Sequence, residues 1–258
     1  VGRRGRGLGE FVNPGAIAIG PRGDIFIADI TRRVQVFRKA AGGYLPVRSF
    51  RLEFAARDMC MIGSELFVHA RAAASDDLIY AVDTAGHQTR SFGLLYRSPN
   101  RLINAFLPAG KIACAEREGI ILYAPLGGVG ELRGYSTKGQ LLWVSTIKGY
   151  EPFDYVQPAG DVHKYGLILP KGGYHGVVSI TYHPAGFFVV QVARYSGAIE
   201  GGGSKIERVY TFVVSARDGS GISLGDSVPP ISALDRKTVL SLRNASYPTI
   251  EVRHLDGY

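Results

Sequence analysis

Two cysteines, two methionines and one tryptophan in 258 residues leave little for thiol redox chemistry or a sulfur-bound metal cage. Cys60 and Cys114 stand far apart in the apolar contexts MCMIG and KIACAE, which excludes a CxxC pair and a disulfide framework and leads us to expect two buried thiols. Long apolar runs are missing as well. The longest, such as 187–193 (FFVVQVA), falls far short of the roughly 20 residues a bilayer-crossing helix needs, so the chain reads as soluble or at most peripheral. Complete catalytic motifs are absent. There is no H-E-x-x-H and no G-x-S-x-G, Ser64, Ser136 and Ser179 sit in strand or turn contexts, and no helix follows the glycine-rich stretch at 126–130 to present its amides to a phosphate.

What is present is a positive balance and a repeat. Thirty Lys and Arg against twenty-two Asp and Glu give a formal charge of +8, which draws a protein towards acidic surfaces. The positives are scattered apart from Arg3, Arg4 and Arg6 and the pair Arg32-Arg33. No basic stripe interleaves with aromatics, and that disfavours a nucleic-acid partner. With 46% hydrophobic residues the chain has enough apolar material for a sizeable core.

A turn followed by a β-prone run recurs six times, at GPRG-DIFIAD (20–29), IGS-ELFVHA (62–70), LPAG-KIACAE (107–116), QPAG-DVHKYG (157–166), HPAG-FFVVQV (183–192) and DRK-TVLSLR (235–243). Proline pre-sets the first corner of a turn and glycine accepts positive φ at its close, so each predicts a hairpin. The six span about 213 positions, a mean step of about 43, which matches a four-stranded propeller blade of roughly 40 to 50 residues. One step, from Gly160 to Gly186, is too short for four strands. Either that blade is abbreviated, or one of the two turns is an outer or inserted hairpin and five blades are visible. The first unit reads as strands 16–19, 24–28, 33–38 and 44–50, and the second as 58–62, 65–70, 78–83 and 88–92. The third has 102–107 and 111–116, then IILYAP, RGYS and LLWVS. The expected fold is an all-β propeller of four-stranded blades forming one domain over 1–258, with 149–173 and the Gly201-Gly202-Gly203 cluster as long loops or an insertion.

The string GLGEFVNPGAIAIGPRGDIFIADITRRVQVF resembles an NHL repeat through Gly9, Phe11, Pro14, Ala18, Gly23, Ile25, Ile27, Ala28, Asp29, Arg33, Val34, Gln35, Val36 and Phe37. Together with RGYSTKGQLLW at 133–143 and the closing YPTIEV, the chain is similar to secreted bacterial proteins described as six-bladed β-propellers of the NHL or TolB-like type. Arg32 replaces the family's usual Asn, and the later blades lack the A-D…R-V-x-V-F core. The resemblance implies entry in mid-repeat, with part of a first blade lacking or the ring closed by pairing the termini. A start at Val1 rather than Met favours a removed leader and an extracytoplasmic, periplasmic or secreted location.

The residue types then rank the chemistry. Asp29, after a strand and before a tight turn, is expected to accept backbone N–H bonds in an Asx turn. His69, His87, His163, His175, His183 and His254 form no pair at metal-ligand spacing. NHL-like lyases gather histidines from several blades on the ring axis, which keeps His69, His163 and His175 open for the alternative reading, a metal-dependent lyase or hydrolase. Trp143, Tyr150, Phe153 and Tyr155 are either an exposed aromatic patch or inter-blade core. Guanidinium groups pair bidentately with carboxylates and phosphates, so Arg3, Arg4, Arg6, Arg32 and Arg33 are the expected partner-binding residues. The sequence therefore points to a non-catalytic scaffold without metal or cofactor, docking a protein partner such as a subunit of a membrane-associated complex.

Overall fold

A computed structural model describes residues 2–70, 76–94, 109–126, 129–152, 154–156, 166–168, 172–196, 204–234, 238–244 and 248–254. Every regular element among them is a β-strand. The chain divides into two compact units, Val1–Tyr96 with Thr137–Gln140, and Arg97–Ser136 with Leu141–Tyr258.

In the first unit, β1 (Arg3–Arg4) and β2 (Glu10–Phe11) form a short parallel ribbon. The strands β3 (Pro14–Ile19), β4 (Ile25–Asp29), β5 (Arg33–Ala40) and β6 (Gly43–Arg51) make one antiparallel sheet in sequence order. A second sheet follows from β7 (Ala56–Ile62), β8 (Glu65–Ala70), β9 (Asp77–Val82) and β10 (Gln88–Leu94). Side chains alternate across a strand with a period of two, so one face of each sheet becomes apolar. Ala16, Ala18, Phe26, Ala28, Val34 and Val36 of the first sheet join Met59, Met61, Leu66, Val68 and Tyr80 of the second in one core. Small residues on β3 and large ones further out let the two sheets nest.

The second unit holds β11 (Gly110–Ala115), β12 (Ile120–Pro125), β13 (Glu131–Ser136) and β14 (Leu141–Thr146) in one antiparallel sheet. A hairpin pairs β15 (Asp154–Val156) with β16 (Gly166–Ile168). Another four-stranded sheet comprises β17 (Tyr174–His183), β18 (Phe187–Tyr195), β19 (Ile206–Ser215) and β20 (Gly221–Gly225), and a three-stranded one β21 (Ala233–Leu234), β22 (Thr238–Asn244) and β23 (Pro248–His254). Ala115, Ile120, Leu122, Leu132 and Trp143 pack with Val177, Phe188, Val190, Val192 and Val214.

Sheets are keyed to one another by an aromatic on an outer strand. Phe50 of β6 lies over Gly86 in the β9–β10 turn, and Trp143 of β14 lies over Gly219 in the β19–β20 turn. Both glycines have positive φ, and a Cβ at either would stand 2.5 Å from the ring, so only glycine fits the close approach. Trp143 also donates its indole N–H to Ala216 O at 3.1 Å, and Ser145 donates its hydroxyl to Gly219 O.

The strands expected in the first two units are found within two residues. Of the expected hairpins, those at 20–23, 62–64 and 183–186 join β3–β4, β7–β8 and β17–β18. Of the one at 107–110 only 109 and 110 are described, and Gly110 opens β11, so the β-prone run expected after that turn is present. Between the sheet of β11–β14 and that of β17–β20 stands the two-stranded β15–β16 hairpin, which joins no four-stranded sheet among the described residues. Five blade sheets are present among the described residues. The expected strand 102–107 and the turns at 157–160 and 235–237 lie outside the described residues, as does the triple glycine.

The cysteines correct the sequence reading. Neither is a free thiol, and both are disulfide-bonded. Strand alternation explains it: Met59 and Met61 enter the core, which turns Cys60 to the other face, and Ala113 and Ala115 do the same for Cys114. That face is apolar as well, with Cys60 opposite the fully buried Phe67 and Cys114 opposite the fully buried Ile121, so the apolar sequence context did not distinguish a thiol from a disulfide.

Candidate functional site: an arginine-lined depression

The end of β4 fixes the site. Asp29, only 1% exposed, accepts Val12 N–H at 2.6 Å and Asn13 N–H at 3.3 Å on one oxygen and Thr31 N–H at 3.0 Å on the other. The last is the expected Asx turn. Burial is the largest influence and pushes the carboxyl up, but the N–H bonds from Thr31, Val12 and Asn13 together outweigh it and hold the pKa below the ordinary aspartate value. Arg32 N–H closes the turn on Asp29 O at 2.9 Å, which puts Arg32 in the left-handed region at φ 67°. Its guanidinium donates to Glu53 O at 2.9 Å.

A second set of bonds ties the segment before β3 to β5. Arg33 donates to the carbonyls of Arg6, Gly7 and Glu10. Gln35, fully buried, accepts Gly9 N–H at 2.7 Å and donates to Glu10 O at 2.6 Å. Phe11 stacks on Phe37, their centroids 5.9 Å apart.

These anchors surround an open depression of about 860 Å³ lined by Arg6, Arg32, Arg33 and Arg51, with Val12, Ile30 and Phe50 as its apolar part. No acidic side chain is among the described lining residues. Three of the five expected arginines thus come together. Arg3 instead pairs with Glu10 at 2.8 Å, and Arg4, exposed on β1, is not part of the lining. Arg51 was missed by sequence reasoning. It is directly opposite Arg33 across the β5–β6 ladder, a pairing that only the register reveals. A second basic cluster, Arg22, Arg38 and Lys39, contains Asp24, which binds Arg38 at 3.0 Å and is held low by that guanidinium.

Of the other candidates, His69, His175, Ser179, Trp143 and Tyr150 have structural partners. His69 is buried with Nδ1 2.9 Å from Leu78 O. His175 Nδ1 accepts Glu151 N–H at 3.0 Å, and burial, then Arg194, lowers its pKa, so the ring is neutral. His163 is outside the described residues, and no group of three His, Cys, Asp or Glu able to hold a metal occurs among those described. Ser179 donates to Ile231 O at 2.9 Å. Trp143 is buried and Tyr150 packs against the same core, so these two are inter-sheet core, while Phe153 and the Tyr155 side chain are outside the described residues.

No protein-family model matches the sequence, and no curated protein matches it. Solved structures do. The β-propeller domain of Myceliophteria thermophila Cps50 (Swd1) aligns over 97% of this chain and 85% of its own, with TM-score 0.51 and 9% identity. With the four-stranded antiparallel sheets in sequence order, that likeness makes the chain an all-β propeller. The Pan2 WD40 domain of Neurospora crassa covers 94% of this chain and 76% of its own at 12% identity and TM-score 0.46. BamB from Moraxella catarrhalis covers 90% and 82% at 11% identity and TM-score 0.41. At these identities the likeness concerns fold alone.

Proposed function

We propose that the chain is a single, non-catalytic propeller scaffold that docks a protein partner, a subunit of a membrane-associated complex, through the arginine-lined depression. The observation that carries this reading is the gathering of Arg6, Arg32, Arg33 and Arg51 around one concavity whose lining has no carboxylate. Interfaces favour arginine because its planar fork binds carboxylates in two bonds at once. Assignment to the six-bladed NHL or TolB-like type rests on the motif residues, of which Asp29 and Gln35 hold the site together.

An extracytoplasmic location is part of the proposal. It is supported by the two disulfide-bonded cysteines, because such bonds persist in oxidising compartments. No helix among the described residues is long and apolar enough to cross a membrane, so the membrane enters this reading through the partner.

The test is purification of tagged protein from its native source, as the natural sequence and as the Arg32→Glu/Arg51→Glu double variant. A stoichiometric partner that the variant loses supports docking at the depression. Undiminished association of that partner would overturn it.

A further inference from the structure

Within that docking reading, on which this step rests, we infer that the depression recognises an acidic, extended peptide segment in which carboxylates alternate with aliphatic side chains, and that Arg6 and Arg51 bind the carboxylates. The four arginines are not equivalent. Arg33 spends its terminal nitrogens on the carbonyls of Arg6, Gly7 and Glu10, and its buried Nε has no hydrogen-bond partner among the described residues. Arg32 donates to Glu53 O. Both are positioning residues that hold the walls. Arg6 and Arg51 are exposed at the depression, and among the described residues neither side chain makes a hydrogen bond or ion pair.

Charge decides what they await. Like charges directly opposite on neighbouring strands repel, and Arg33 and Arg51 are such a pair. No acid in the lining relieves them, whereas Asp24 does so for Arg38 in the other basic cluster. A ligand carboxylate beside Arg51 supplies the missing countercharge, in a bidentate geometry that favours arginine. Thr31 and Ser49 add hydroxyl donors beside the cations.

Shape and apolar lining select the rest. Val12 and Ile30 are 44% and 59% exposed and sit among the charges. A free inorganic anion would leave them wet; aliphatic side chains between carboxylates would cover them. The volume of about 860 Å³ is in the range of sites that enclose ligands much larger than one carboxylate. Nucleic acid fits poorly, because single-strand sites need aromatic faces for stacking. Phe50, the aromatic in the lining, is already seated on Gly86 and under the Arg48 guanidinium at 5.4 Å.

The experiment is fluorescence anisotropy on the full chain with a labelled octapeptide of alternating Asp and Leu, at low and high salt. Saturable binding is expected, at least about tenfold tighter than for the same peptide with Asn in place of Asp. Arg6→Glu and Arg51→Glu should each weaken it by about tenfold, and Arg51→Lys by less, since it keeps charge but loses the fork. Arg22→Glu, at the β3–β4 hairpin, should leave it unchanged. Thermal melts check folding, which neither the Arg6 nor the Arg51 side chain supports by a hydrogen bond among the described residues. Equal binding of the Asn peptide, unchanged affinity in both glutamate variants, or tighter binding of oligouridylate or phosphatidylglycerol vesicles would overturn the inference. If the native partner is still lost from Arg32→Glu/Arg51→Glu protein while the peptide fails to bind, only the acidic-peptide assignment falls. If the partner is retained, the docking reading falls.

Discussion

Val34-Gln35-Val36 in β5 and Val190-Gln191-Val192 in β18 are the same tripeptide in different units. Their valines enter the two main cores, and each glutamine is buried on the opposite face. Each holds an irregular stretch of backbone. Gln35 accepts from Gly9 and donates to Glu10. Gln191 accepts Ile231 N–H at 2.6 Å and donates to Pro229 O at 2.9 Å and Thr211 Oγ1 at 3.0 Å. The difference lies in the cargo. The stretch that Gln191 holds, 228–231 between β20 and β21, is apolar, whereas the one under Gln35 brings Arg6 to the depression. One local device therefore serves stability in one unit and presentation of charge in the other.

The sharpest way to break this comparison is Gln191→Leu. It leaves buried backbone groups at Ile231 and Pro229 unsatisfied, and we expect a loss of about 3 kcal/mol in denaturant unfolding, with peptide binding intact. Gln35→Leu strands Gly9 N–H in a part-buried place while Glu10 O keeps its bond from Arg33, so a smaller loss of about 1 to 2 kcal/mol is expected. This variant should also bind the acidic peptide several-fold more weakly. Equal peptide affinity in both variants would mean that Gln35 presents nothing.

Asp29 gives a smaller and pH-dependent effect. Its folded pKa lies below the unfolded value, so its contribution is complete above about pH 4 and is lost as pH falls through the folded pKa. Asp29→Asn should cost about 1 to 2 kcal/mol at neutral pH and reduce the acid sensitivity of unfolding. Unfolding curves that keep their slope with pH would show that another carboxylate dominates. His175 has the same sign in a higher window. Its depressed pKa makes its contribution complete above about pH 6.5 and lost below, a slight drift that His175→Gln should flatten in thermal melts. The least perturbing check is thiol titration: unreduced, unfolded protein should show no free thiol.

Much of this was legible in the sequence, for local reasons. The strands around GPRG and IGS follow from alternation and turn chemistry, and the Asx turn at Asp29 needs only a carboxylate two residues before Thr31. What escaped depends on partners distant along the chain. Gln191 is 40 residues from Ile231, and nothing local marks it as a tether. Arg51 joins Arg33 only through a register that a bulge in β6 shifts.

The aromatic-on-glycine seats have a bearing on how such chains grow by copying. In these two seats the key and its lock belong to different sheets: Phe50 meets Gly86, and Trp143 meets Gly219. Duplication of a segment cut at sheet boundaries gives the newcomer a ring for its successor and a hollow for its predecessor, so it fits anywhere in the series. Drift at either half would silence that joint, and a glycine at such a turn is therefore inherited on behalf of a neighbour.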